Sequence, residues 1–126
     1  MADVVVVIED LIFSTKIVGT ARSVGLDARV VRTGEALADA LEDGGVELVI
    51  VDMGLGVRQA CAALGRAAAH DPKPTTLAFY PHVEQAWRQA AEDAGADVVM
   101  VRSRFSDGLA TLLTDACRTR GQDPVD

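Results

Sequence analysis

Five short apolar runs alternate with five longer amphipathic stretches, which predicts an α/β domain with a doubly wound, five-stranded parallel sheet of order 2-1-3-4-5. Two observations carry this. Val4-Val5-Val6-Val7-Ile8 and Leu48-Val49-Ile50-Val51 are continuous rather than alternating, the pattern of strands covered on both faces. Each strand candidate is separated from the next by a helical pattern, so the connections are right-handed crossovers instead of hairpins.

The elements follow in order. Val4 to Ile8 is too short for a helix and reads as the first strand. Ser14 to Val24 reads as a helix closed by Gly25. Ala28 to Arg32 is a weaker strand. Thr33 can cap a helix running to about Asp43, with Leu37 and Leu41 one turn apart and Gly44-Gly45 ending it. Leu48 to Val51 is the third strand, Val57 to Ala69 the third helix, and His70-Asp71-Pro72-Lys73-Pro74 a loop. Thr75 to Phe79 is the fourth strand. Val83, Ala86, Trp87, Ala90, Ala91 and Ala94 have helical spacing before Gly95, and Asp97 to Val101 is the last strand. Ser106 is expected to cap a final helix carrying Leu109, Leu112, Leu113, Ala116 and Cys117. Residues 1–121 form one domain on this reading, and 122–126 a short tail.

The 126 residues suffice for one core without staples. Twelve basic residues against nineteen acidic ones give a net charge of −7, and the positive residues are scattered, so neither nucleic acid nor a membrane surface is an expected partner. Cys61 and Cys117 match neither a disulfide framework nor a zinc site and read as small buried thiols of a reducing cytoplasm. Met1-Ala2-Asp3 has no basic character before the first strand, so no signal peptide is expected.

In a sheet of this order the chain reverses between strands 1 and 3, and ligands bind beyond the carboxyl ends there. Glu9 and Asp10 follow strand 1; Asp52 follows strand 3. Two carboxylates about 4 Å apart repel by roughly 4 kcal/mol at an effective dielectric near 20. Such a group needs a hard cation, a basic neighbour or a proton, and Mg²⁺ suits it chemically. The plainer reading has each acid capping the next helix or facing solvent.

These residues resemble the receiver domains of bacterial two-component response regulators, a flavodoxin-like fold, along nearly the whole chain. Val4 to Asp10 is similar to that family's first strand and acidic pair. Leu48 to Gly56 is similar to the strand and loop with the phospho-accepting aspartate, and Ala94-Gly95-Ala96-Asp97-Val98-Val99 to the approach to strand 5. The resemblance implies Mg²⁺ held by Glu9, Asp10, Asp52 and the Gly54 carbonyl, with Asp52 accepting a phosphoryl group from a histidine kinase or phosphotransfer protein.

Two departures make the resemblance that of an atypical receiver. Where the family has Ser or Thr at the end of strand 4, this sequence offers Phe79-Tyr80-Pro81, leaving Tyr80 as the nearest hydroxyl at the switch position. Where the family has Lys followed by Pro, it has Arg102-Ser103; Arg102 keeps a positive charge for the phosphate or the acids, but in a planar fork. Leu11-Ile12-Phe13 reads as an apolar loop beside the site. Lys16 is a candidate internal counter-ion, Ser14 and Thr15 candidate caps, Trp87 a core residue, and His82 a surface residue at the start of its helix. No GxGxxG turn or P-loop occurs, which disfavours dinucleotide and nucleoside triphosphate binding.

The expected function is a stand-alone receiver-like signalling module, not an enzyme, acting through protein contacts with a separate effector or with a second copy as a homodimer. A constitutive pseudo-receiver scaffold, binding through helix 4, strand 5 and helix 5, is the alternative. A small Mg²⁺-dependent phosphotransfer enzyme is a third.

Overall fold

Val4–Val7 forms β1, and all four valines are buried because helices cover both faces of this central strand. The computed structural model describes residues 2–81 and 85–121. Its further strands are β2 (Ala28–Val31), β3 (Leu48–Asp52), β4 (Thr75–Tyr80) and β5 (Val98–Val101). All pairings are parallel and the order is β2-β1-β3-β4-β5, as the alternating pattern predicts. The register sets Val7 beside Val51 and Asp52 beside Phe79.

The helices are α1 (Leu11–Ser23), α2 (Gly34–Glu42), α3 (Val57–Ala69), α4 (Gln85–Asp93), α5 (Arg102–Asp107) and α6 (Leu109–Gly121), with a 3-10 turn at Met53–Leu55. Because side chains alternate along each strand, the sheet feeds two cores. Val5, Val7, Val49, Val51, Ala78 and Tyr80 pack on α2, α3 and α4. Val4, Val6, Leu48, Ile50, Leu77 and Phe79 pack on α1, α5 and α6. Trp87 lies against the first core, as its helical spacing predicts. Cys117 is buried and Cys61 partly buried, as small thiols in helical patterns are expected to be.

Several expectations are corrected. The first helix begins at Leu11, not Ser14, so Leu11-Ile12-Phe13 is its first turn and not a loop. Asp10 is its cap: the carboxylate accepts from the Phe13 N–H at 3.0 Å, satisfying an otherwise orphaned donor. Ser14 and Thr15 are not caps, since both hydroxyls donate to the Leu11 carbonyl. The final helix is broken at Gly108, and Ser106 lies inside α5 instead of capping α6. Thr33 does cap α2, accepting from the Ala36 N–H at 3.0 Å. His82, Val83 and the tail 122–126 lie outside the described residues. Among the described residues no helix is long and apolar enough to cross a membrane.

Candidate functional site

The carboxyl ends of β1 and β3 open into a cleft of about 340 Å³ lined by Glu9, Asp10, Asp52, Gly54, Leu55, Pro81 and Arg102. The parallel β1–β3 pairing accounts for the three acids sharing it, because adjacent strands deliver their last residues to one edge. Arg102 arrives from the far side, at the junction of β5 and α5.

Asp52 is 7% exposed. Its Oδ1 accepts from the Gly54 N–H at 2.7 Å, forming the turn that leads into Met53–Leu55. Burial pushes its carboxyl above the usual aspartate range. The Gly54 N–H and Arg102 pull the other way, while Asp10 and Glu9 push it further up. A Cβ at residue 54 would stand 2.9 Å from that same oxygen, so a larger residue there would push the Asp52 carboxylate aside.

Asp10 is held differently. Its Oδ2 accepts from Arg102 Nη2 at 2.9 Å, while Oδ1 is taken by the Phe13 N–H. The Phe13 bond first, and Arg102 second, hold its carboxyl below the ordinary range. The Arg102 guanidinium also lies over the Phe13 ring, 4.1 Å from the centroid. Phe13 in turn meets Phe79 and Phe105 edge-on at 5.4 and 5.9 Å, and Phe79 stacks on Phe105 at 4.6 Å.

The structure thus brings Glu9, Asp10, Asp52, Gly54 and Arg102 to one cleft and leaves Tyr80 outside it. Tyr80 is turned into the α2–α3–α4 core, with Arg88 close by at its outer end. Alternation along β4 then points Phe79 to the other face. Lys16 does not serve the acids either, as its ammonium donates to Ser106 Oγ. Sequence reasoning missed Phe13 and Phe105. The available signals were Asp10 preceding an apolar turn by the spacing of a cap, and Phe105 following Arg102 by three residues.

No protein-family model matches the chain, and no curated protein matches it in sequence. Solved structures match it in fold. A response regulator from Thermotoga maritima gives a TM-score of 0.76 at 19% identity, over 90% of this chain and 95% of that one. NtrX from Brucella abortus in complex with ADP gives 0.78 at 20% identity over 95% of this chain, which spans 27% of the NtrX chain. A co-crystal from Saccharomyces cerevisiae, of the histidine phosphotransfer signaling protein Ypd1 with the receiver domain of its downstream response regulator Ssk1, gives 0.80 at 14% identity, over 98% and 93%. The chain therefore has the fold of response-regulator receiver domains.

That fold implies a divalent cation among the acids, and the donor set as arranged does not fit one. Both Asp10 oxygens and one Asp52 oxygen already accept protein N–H bonds. Among the described residues, no three His, Cys, Asp or Glu side chains stand together as a ligand group.

Proposed function

We propose that this protein is a receiver-type signalling module whose output is contact with a separate protein, and whose binding surface is set without phosphoryl chemistry at Asp52. The observation that carries the reading is Phe79. It pairs in register with Asp52 at the strand end, yet its ring is stacked in the core on Phe105 and offers no donor to the cleft. A modification shifts a two-state equilibrium only through contacts that differ between the states. With a ring in place of a compact hydroxyl, Asp52 has no such contact at β4.

The surface we assign to the partner is made by α4, β5 and α5. There β5 is an edge strand, Val98 is 36% exposed, and a cavity of about 430 Å³ is lined by Tyr80, Arg88, Val99, Met100, Val101 and Arg104. The reading predicts that Asp52→Asn leaves partner affinity within about twofold, while Arg88→Glu and Arg104→Glu weaken it at least tenfold. Titration against the native partner measures both. Loss of binding in a folded Asp52→Asn protein refutes the proposal.

A phospho-switched module remains the second reading. It is favoured by Asp52 itself, which lines the cleft with Oδ2 outside every hydrogen bond among the described residues. On that reading the partner is a histidine kinase or phosphotransfer protein, Asp52 is the acceptor, and Arg102 faces the phosphoryl group.

A further inference from the structure

Among the described residues the cleft gathers three carboxylates with one cationic side chain, Arg102, and that cation belongs to the chain. Arg102 is the first residue of α5, and Asp10 is the cap of α1, so their bond ties the two helix starts together. The tie is repeated along both helices. Phe13 meets Phe105, and Lys16 donates to Ser106, so residues three apart on α1 engage successive positions of α5. An exposed ion pair alone holds little. Here one edge of the guanidinium is engaged by Asp10 and one face by the Phe13 ring.

We propose that Arg102 takes the place of a divalent ion in this cleft, so that the folded protein neither needs nor takes up Mg²⁺ there. Mg²⁺ demands a near-octahedral set of oxygen ligands at about 2.0–2.1 Å. To bind Asp10 through the oxygen that faces the cleft cation, it would have to compete with Arg102 for Oδ2 and so undo the clasp between α1 and α5. The planar fork of arginine supplies the positive charge with a fixed direction, which a hydrated ion lacks. The inference deepens the proposed function and rests on it only for the expectation that a cation belongs at this edge. Cation uptake and partner binding are separate measurements and fail separately.

The test compares the wild-type chain with R102M and R102Q in thermal melts at 0 and 10 mM MgCl₂, with Mn²⁺ broadening of the Gly54 amide resonance as a second readout. Wild type is expected to melt within about 1 °C with and without Mg²⁺, and its Gly54 resonance to stay sharp at sub-millimolar Mn²⁺. Freed of Arg102, the carboxylates are expected to accept the ion. Each variant then gains about 3–6 °C at a tenfold excess over its Kd, and its Gly54 resonance broadens. The proposal is overturned if wild type responds to either ion as the variants do. It is equally overturned if a folded variant ignores both ions, since Arg102 then stands in for nothing. Should neither variant fold, the wild-type melt and Mn²⁺ titration decide the matter: a sharp Gly54 resonance upholds it and a broadened one overturns it.

Discussion

Phe79 lies parallel to Phe105, their ring centroids 4.6 Å apart and their planes inclined by 8°. The pair joins the end of β4 to α5, and Phe13 closes the group from α1. A position at the sheet's functional edge is thus spent on packing. Burial of such a ring stabilises by about 1.5–3 kcal/mol, and aromatic contact adds roughly 0.5–1.5 kcal/mol.

Truncating either ring is expected to be costly. Phe79→Ala and Phe105→Ala should each destabilise by about 3–5 kcal/mol, because both side chains are fully buried. Their double-mutant cycle should show a coupling of about 0.5–1.5 kcal/mol. Urea unfolding measures all three; strict additivity removes the stacked pair from the account.

The sheet order was legible because continuous runs such as Val4 to Val7 leave one burial pattern, covered on both faces. The acidic edge was legible because parallel pairing of β1 and β3 fixes where Glu9, Asp10 and Asp52 end up. The role of Arg102 was only half legible. Its charge is in the sequence, but its choice of Asp10 depends on α1 starting at Leu11, and the apolar residues Leu11 and Ile12 hid that start. Both are exposed, at 65% and 87%, so the usual apolar-face signal misplaced the helix boundary. Tyr80 carries the hydroxyl nearest the switch position in the sequence, but strand alternation turns it into the α2–α3–α4 core.

At the opposite end of the sheet, Asp97 fastens the start of β5 to β4. Its carboxylate accepts from Lys73 Nζ and from the Thr76 N–H, each at 2.9 Å. Thr76 is fully buried, so Asp97→Ala should cost about 1–3 kcal/mol through its stranded N–H. Burial pushes the Asp97 carboxyl up, but the Lys73 and Thr76 bonds outweigh it and leave it below the ordinary value. Stability from Asp97 is therefore present above the unfolded-state value near pH 4 and lost as pH falls through the lower folded one. The Asp97→Ala deficit should shrink correspondingly in urea titrations below pH 4.

Two glycines frame the turn after Asp52, for different reasons. Gly54→Ala forces a Cβ against Asp52 Oδ1, whereas Gly56 has φ of 119°, a conformation that side chains strain. The Gly56 substitution should lower stability by about 1–3 kcal/mol through backbone strain. Gly54→Ala should instead displace the Asp52 carboxylate, visible as a changed carboxyl chemical-shift titration. An unaltered Asp52 titration in Gly54→Ala removes the crowding argument.

Asp52 should itself be a liability for stability at neutral pH. Burial raises its folded-state pKa above the unfolded value near 4, despite the Gly54 N–H and Arg102. The folded protein then binds this proton more tightly than the unfolded chain does. That contribution is fully present below the unfolded pKa and is lost as pH rises through the folded one, leaving a buried charge above it. Asparagine keeps an oxygen to accept from the Gly54 N–H without the charge. Asp52→Asn is therefore expected to melt higher than wild type at pH 7, with the difference fading as pH approaches 4. Thermal melts of both proteins between pH 4 and 8 give the comparison. A gain that persists undiminished at pH 4, or a loss at pH 7, means that desolvation does not govern this carboxylate and that its bonds to Gly54 and its attraction to Arg102 do.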